Sequence, residues 1–166
     1  MKEAYAELNG LFSRTKADIE RFNAMLQPVI DQAKDERERL YFHHIVEEEE
    51  QRLERLDILL PMLQKAMVED ITNFQFIQLL EELNLEKFGL HNFREHIDLA
   101  LFEFQDEPRQ SELRPMRERT QADYLKVKDY LQVFNEKFQN QASTTYWKDK
   151  GMPASHKRLS VGSLKI

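Results

Sequence analysis

Residues 40–67 read LYFHHIVEEEEQRLERLDILLPMLQKAM. Leu40, Val46, Leu53, Leu56, Leu60, Leu63 and Met67 recur at steps that keep them on one face of a 3.6-residue helix. No stretch of the chain alternates with period two for long. Upstream, Ala33 and Val29 extend the stripe, so the spacing predicts a helix over 28–67. Pro28 fits the first helical position, where its missing N–H costs nothing. Gln27, preceding a proline, is pushed away from helical backbone, which places the break there. Pro61 is expected to kink this helix or end it early.

Three more stripes flank it. Leu8, Leu11, Phe12, Ile19, Phe22, Met25 and Leu26 predict a helix near 3–26. Asp70 or Thr72 can cap a third, which carries Phe76, Leu79, Leu80, Leu83, Leu90, Phe93, Ile97, Leu101 and Phe104, with Asn84 and Gly89 as weak points and Pro108 closing the segment. A fourth, near 112–140, carries Leu113, Met116, Tyr124, Val127, Leu131, Phe134 and Phe138. Long helices joined by short connections imply an all-α, antiparallel four-helix bundle over residues 1–140. Residues 141–158 lose the periodicity and read as a polar linker.

The 166 residues include only four Gly and five Pro, about half the usual share. Few turns of that kind exclude a many-stranded sandwich or barrel. The chain has no Cys, which excludes disulfides, thiolate metal sites and a cysteine nucleophile. Apolar runs are a handful of residues, so no membrane span is expected, and the start has no apolar signal-peptide core. The net charge is −6. Residues 141–166 hold five basic residues against one acid, Asp149, so the body alone carries −10. Such a body argues against nucleic acid as a partner and can attract cations.

Histidines and carboxylates are the available metal ligands. His43, Glu47 and Glu50 share one helical face at i, i+4 and i+7, and His91 with Glu95 repeats the i, i+4 step. With a turn near residue 69, Glu47 and His91 lie at one height of the hairpin, and His43 and Glu95 one turn further out. Each His would then face a carboxylate in two stacked layers, an arrangement suited to two Fe or Mn ions bridged by carboxylates. His44, Glu48 and His96 form a competing set on a neighbouring face.

The chain ends Leu159-Ser160-Val161-Gly162-Ser163-Leu164-Lys165-Ile166. This octapeptide resembles the loading peptide of cargo proteins packaged in encapsulin shells, with Ser160 where Thr is usual. Joined to a helical body bearing His and Glu, the chain resembles the ferritin-like, iron-mineralising encapsulin-associated Firmicute (IMEF) family. The resemblance implies a ferroxidase that oxidises Fe(II) with O₂ at a di-iron site. His43, Glu47, His91 and Glu95 would be the catalytic ligands, with Glu50 beside them. It also implies an encapsulin shell as partner and a cytoplasmic location inside that nanocompartment; a homodimer is expected. The chain departs from the ferritin-like Glu-x-x-His pattern, because here the His precedes the Glu. The first and fourth helices offer only Glu7 and Asp123, both beside the apolar stripe. A site shared between two subunits would resolve this. Two other readings stand alongside: a hemerythrin-like O₂- or metal-binding module, which shares His-x-x-x-Glu, and a non-enzymatic cargo or adaptor bundle.

Overall fold

The computed structural model describes the backbone of residues 1–149 and the side chains of residues 1–140. Four helices follow in order: α1 (Lys2–Asp31), α2 (Glu36–Val68), α3 (Asn73–Glu103) and α4 (Glu107–Asp149). As α1 advances from Lys2 to Lys16, its ion-pair partners retreat from Asp70 to Asp57. As α3 advances from Arg94 to Asp98, its partners on α4 retreat from Gln121 to Arg117. Neighbours are therefore antiparallel. α1 packs closely on α2 and α3 on α4, and looser α2–α3 and α1–α4 contacts close the ring.

The ends of the helices follow from local chemistry. Thr72 caps α3 with a full capping box: its hydroxyl accepts from the Gln75 N–H, and the Gln75 side chain accepts from the Thr72 N–H. Asp35 caps α2, accepting from the Glu38 N–H at 2.8 Å. The predicted break at Gln27 is corrected by the structure. α1 runs through Pro28 to Asp31 because buried Ile30 extends its core stripe past the one hydrogen bond a proline removes. Likewise α2 passes through exposed Pro61 to Val68. Pro108 opens α4 instead of closing α3, with Asp106 accepting from the Arg109 N–H. α4 continues to Asp149, into the stretch read as a linker. The octapeptide 159–166 lies outside the described residues.

The core is continuous along the bundle and rich in Phe and Leu. Phe22 of α1 meets Phe93 of α3 edge to face at 5.3 Å, and Phe76 and Tyr5 both meet Phe134 of α4. Each buried Phe or Leu contributes about 1.5–3 kcal/mol relative to exposure. Two layers of charge interrupt this core near mid-bundle, one between α1 and α4, the other between α2 and α3. Among the described residues no helix is long and apolar enough to cross a membrane.

Candidate metal centre

The structure places His43, Glu47 and Glu50 on the outer face of α2, away from the core. The side chains of His43 and Glu47 are 50% and 56% exposed, and they pair only with each other, at 3.7 Å. His91 and Glu95 pair within α3 at 2.7 Å, the His half-buried against Tyr124 and the Glu exposed. The cross-hairpin layers of His43 with Glu95 and Glu47 with His91 do not form. The assumed register was close to the real one, since Arg52 bonds Glu86 across the hairpin. The error lies in the face: Phe42, Ile45, Val46 and Glu49 point inward, which turns His43 and Glu47 out.

The competing set is the one brought together. Glu48 stands between two imidazoles: His44 Nε2 lies 2.7 Å from one carboxylate oxygen and His96 Nε2 lies 3.2 Å from the other. Behind it, His96 Nδ1 is hydrogen-bonded to Glu49 at 2.7 Å. An ionised carboxylate only accepts, so Nδ1–H donates to Glu49 and Nε2 is left facing Glu48. Nε2 and the Glu48 oxygen that faces it at 3.2 Å can share a proton or a metal ion.

This surface group is rooted in a buried network that the sequence reading missed. Glu49, Glu86 and Arg52 have side chains 1%, 0% and 5% exposed. Arg52 donates from Nε to Glu86 at 3.2 Å and from Nη1 to Glu49 at 3.3 Å. Glu86 Oε2 and Arg52 Nη2 have no hydrogen-bond partner, and Arg55 stands 3.9 Å from that oxygen. Burial pushes the Glu86 carboxyl above its usual range, and neighbouring Arg52 only partly opposes this. The signal was present in sequence. Glu49 and Arg52 fall on the steps of the α2 stripe, and Glu86 falls between Leu83 and Leu90 on that of α3.

The α1–α4 layer is differently composed. Asp18 and Asp123 are buried; of the two, only Asp123 was weighed from the sequence as an inward carboxylate. Asp18 accepts from Arg21 and from Arg119, the latter at 3.0 Å, and Asp123 accepts from Arg14 at 2.9 Å. Glu7 is bound by Lys126 and Tyr130 at the surface. These carboxylates are already met by cations.

Among the described residues, no three His, Asp or Glu side chains converge to hold a metal ion. One chain offers oriented donors without enclosing a site. On the outer face of α3, Leu85, Phe88, Asn92, Glu95, Leu99 and Phe102 form one exposed line at steps of three and four. It runs between the His44–Glu48–His96 group on the α2 side and His91 on the α4 side. Its Leu85, Phe88, Leu99 and Phe102 are exposed apolar side chains, interrupted by Asn92 and Glu95, on a helix whose opposite face is also apolar.

The sequence profile of the IMEF cargo Flp protein matches residues 8–138. A ferritin-like protein of Bacillus thermotolerans is 51% identical over 144 residues, covering 83% of this chain and 75% of the relative. The fold also matches a crystal structure described as that of an iron-binding protein. There the TM-score is 0.78 and the identity 51%, with 80% of this chain and 99% of the other covered. The four-helix bundle, its His- and carboxylate-bearing hairpin and these likenesses agree: the chain belongs to the IMEF cargo Flp family.

Proposed function

We propose that this protein is a ferroxidase packaged in an encapsulin shell, and that its di-iron site is completed between two copies of the chain. The observation that carries the reading is the group His44, Glu48 and His96, half-enclosed beside an exposed apolar line. Imidazole and carboxylate without thiolate suit iron. Two copies laid antiparallel along α3 would bring the α2 side of one against the α2 side of the other. Each copy would then give His44, Glu48 and His96, with Glu95 flanking from the α3 line and His91 across that line on the α4 side. Bound iron supplies the electrons that reduce O₂, leaving Fe(III) to collect as mineral. The chain's own residues bind Fe(II), hold the imidazoles in one orientation and shield the site with the Leu and Phe of the α3 line.

The family likeness supports the shell as partner, and the terminal octapeptide 159–166 is the address we assign to it. Inside the shell, the protein would share the cytoplasmic location of its compartment. Deleting 159–166 should abolish co-purification with the shell and leave Fe(II) oxidation intact; loading that survives the deletion removes this assignment.

The chemistry is tested by adding Fe(II) aerobically and following ferric absorbance. A Glu48→Ala/His96→Ala variant should lose most of the catalysed rate, and a His91→Ala/Glu95→Ala variant should lose less. Wild-type oxidation no faster than the first variant's would leave the bundle as cargo without ferroxidase activity. Reversible spectral change on O₂ exposure, without turnover, would point to an O₂-binding module instead.

A further inference from the structure

We infer that Gly89, Arg52 and Glu49 form a positioning relay that fixes the His96 imidazole with Nε2 facing outward. The inference rests on the reading of His96 as an iron donor only for its purpose; its geometry is independent of metal. The relay begins with a missing side chain. A Cβ at residue 89 would lie 2.4 Å from Arg52 Nε and 2.8 Å from Arg52 Cδ. Only Gly leaves that notch open, so a glycine is kept in mid-helix despite its poor helix propensity.

Through the notch, the Arg52 side chain crosses from α2 against α3. Its guanidinium carbon lies 5.6 Å from the Phe93 ring centre. There it holds Glu86 through Nε and Glu49 through Nη1. One oxygen of Glu49 is thus committed to Arg52, and the other accepts from His96 Nδ1–H at 2.7 Å. A carboxylate fixed at one oxygen and hydrogen-bonded at the other sets both ring plane and tautomer. This is how outer carboxylates orient metal-binding imidazoles. Glu49 is therefore a positioning residue, not an iron ligand, and Arg52 acts through it.

The test reads the ring before it reads the metal. ¹⁵N shifts of His96 in the full-length, metal-free protein should show the proton of the Glu49 hydrogen bond on Nδ1. In Glu49→Gln the amide can donate to Nδ1, so the proton should shift toward Nε2; Glu49→Asp should keep the wild-type tautomer. Arg52→Met, which leaves Glu49 unheld, should give a mixture, and Gly89→Ala should do the same by expelling Arg52. Arg52→Met keeps the test open should Gly89→Ala fail to fold. Co(II), used as a spectroscopic probe, should bind Glu49→Gln about 10- to 100-fold more weakly. An unchanged His96 tautomer in folded Glu49→Gln overturns the relay. A changed tautomer with Co(II) affinity unaltered supports the relay and removes His96 from the donor set.

Discussion

The two polar layers of the bundle sit at similar depth but carry opposite balances of charge. Between α1 and α4, the carboxylates of Asp18 and Asp123 are met by Arg14, Arg21 and Arg119, whose heads reach solvent. Between α2 and α3, Glu49 and Glu86 are met by a single buried guanidinium, with Glu48 and two imidazoles completing the group. The first layer has spent its acceptors on arginine, so it locks α1 against α4 and has little left for a ligand. The second retains a buried carboxylate oxygen with no hydrogen bond, 3.9 Å from Arg55, and an outward imidazole nitrogen. The difference is that both layers bury acids, but only the α2–α3 layer sets them beside an oriented imidazole; on that difference rests the proposal that metal enters there.

The largest difference should appear when each layer loses an arginine. Arg52→Ala removes the one cation buried between two carboxylates, and breaking a buried pair costs about 3–5 kcal/mol. Arg119→Ala removes a more exposed partner and should cost about 1 kcal/mol or less. Urea denaturation of both variants compares them. Equal losses would mean that the α2–α3 layer is no more dependent on its single cation than the α1–α4 layer.

Metal should separate the layers next. If Fe(II), or Mn(II) as a redox-quiet substitute, binds the folded dimer, a concentration 100 times Kd stabilises it by about 2.7 kcal/mol. Glu48→Ala/His96→Ala should abolish the resulting rise in Tm, and Asp18→Asn/Asp123→Asn should leave it in place. A Tm gain that depends on Asp18 and Asp123 would reverse the comparison. Phe88→Glu, on the α3 line, should yield monomers by light scattering and lose the metal response with them.

The pH dependence is a smaller effect. Burial raises the folded-state pKa of Glu86, opposed by Arg52, and of Asp123, opposed by Arg14. A raised pKa means the folded state binds the proton more tightly than the unfolded chain. Their contribution is full below the unfolded carboxylate values and is lost as pH rises through the folded ones. The exposed acids held below their usual range, Glu7 and Glu36, act in the opposite direction but at lower pH. Glu86→Gln and Asp123→Asn should each flatten the fall in Tm between mildly acidic and neutral pH; an unchanged slope in both would show that burial does not govern these carboxyls.

Much of the fold could be read in advance because apolar residues at helical spacing report burial directly. Leu56, Leu63, Phe93 and Val127 are all in the core, as their stripes require. The α1–α2 boundary was misplaced because Pro28 satisfies the rule for a helix start as well as that for a tolerated late interruption, and Ile30 decides between them. For the proposed site, residue type and register were legible but the face of α2 was not. His43 and His44 are adjacent, so a rotation of one residue exchanges an exposed pair for the one that meets His96. Glu49, Arg52 and Glu86 were hidden because charged residues on an apolar stripe look like its edge until a partner helix shows them paired.

The central claim is that iron enters the α2–α3 layer between two copies and not the α1–α4 layer. Crystals of the full-length protein soaked anaerobically in Fe(II) and measured at the iron absorption edge test it directly. The account predicts anomalous peaks beside His96 Nε2 and Glu48, with ligands from both copies. Peaks at Asp18 and Asp123, or only at the exposed His43–Glu47 pair, would contradict it.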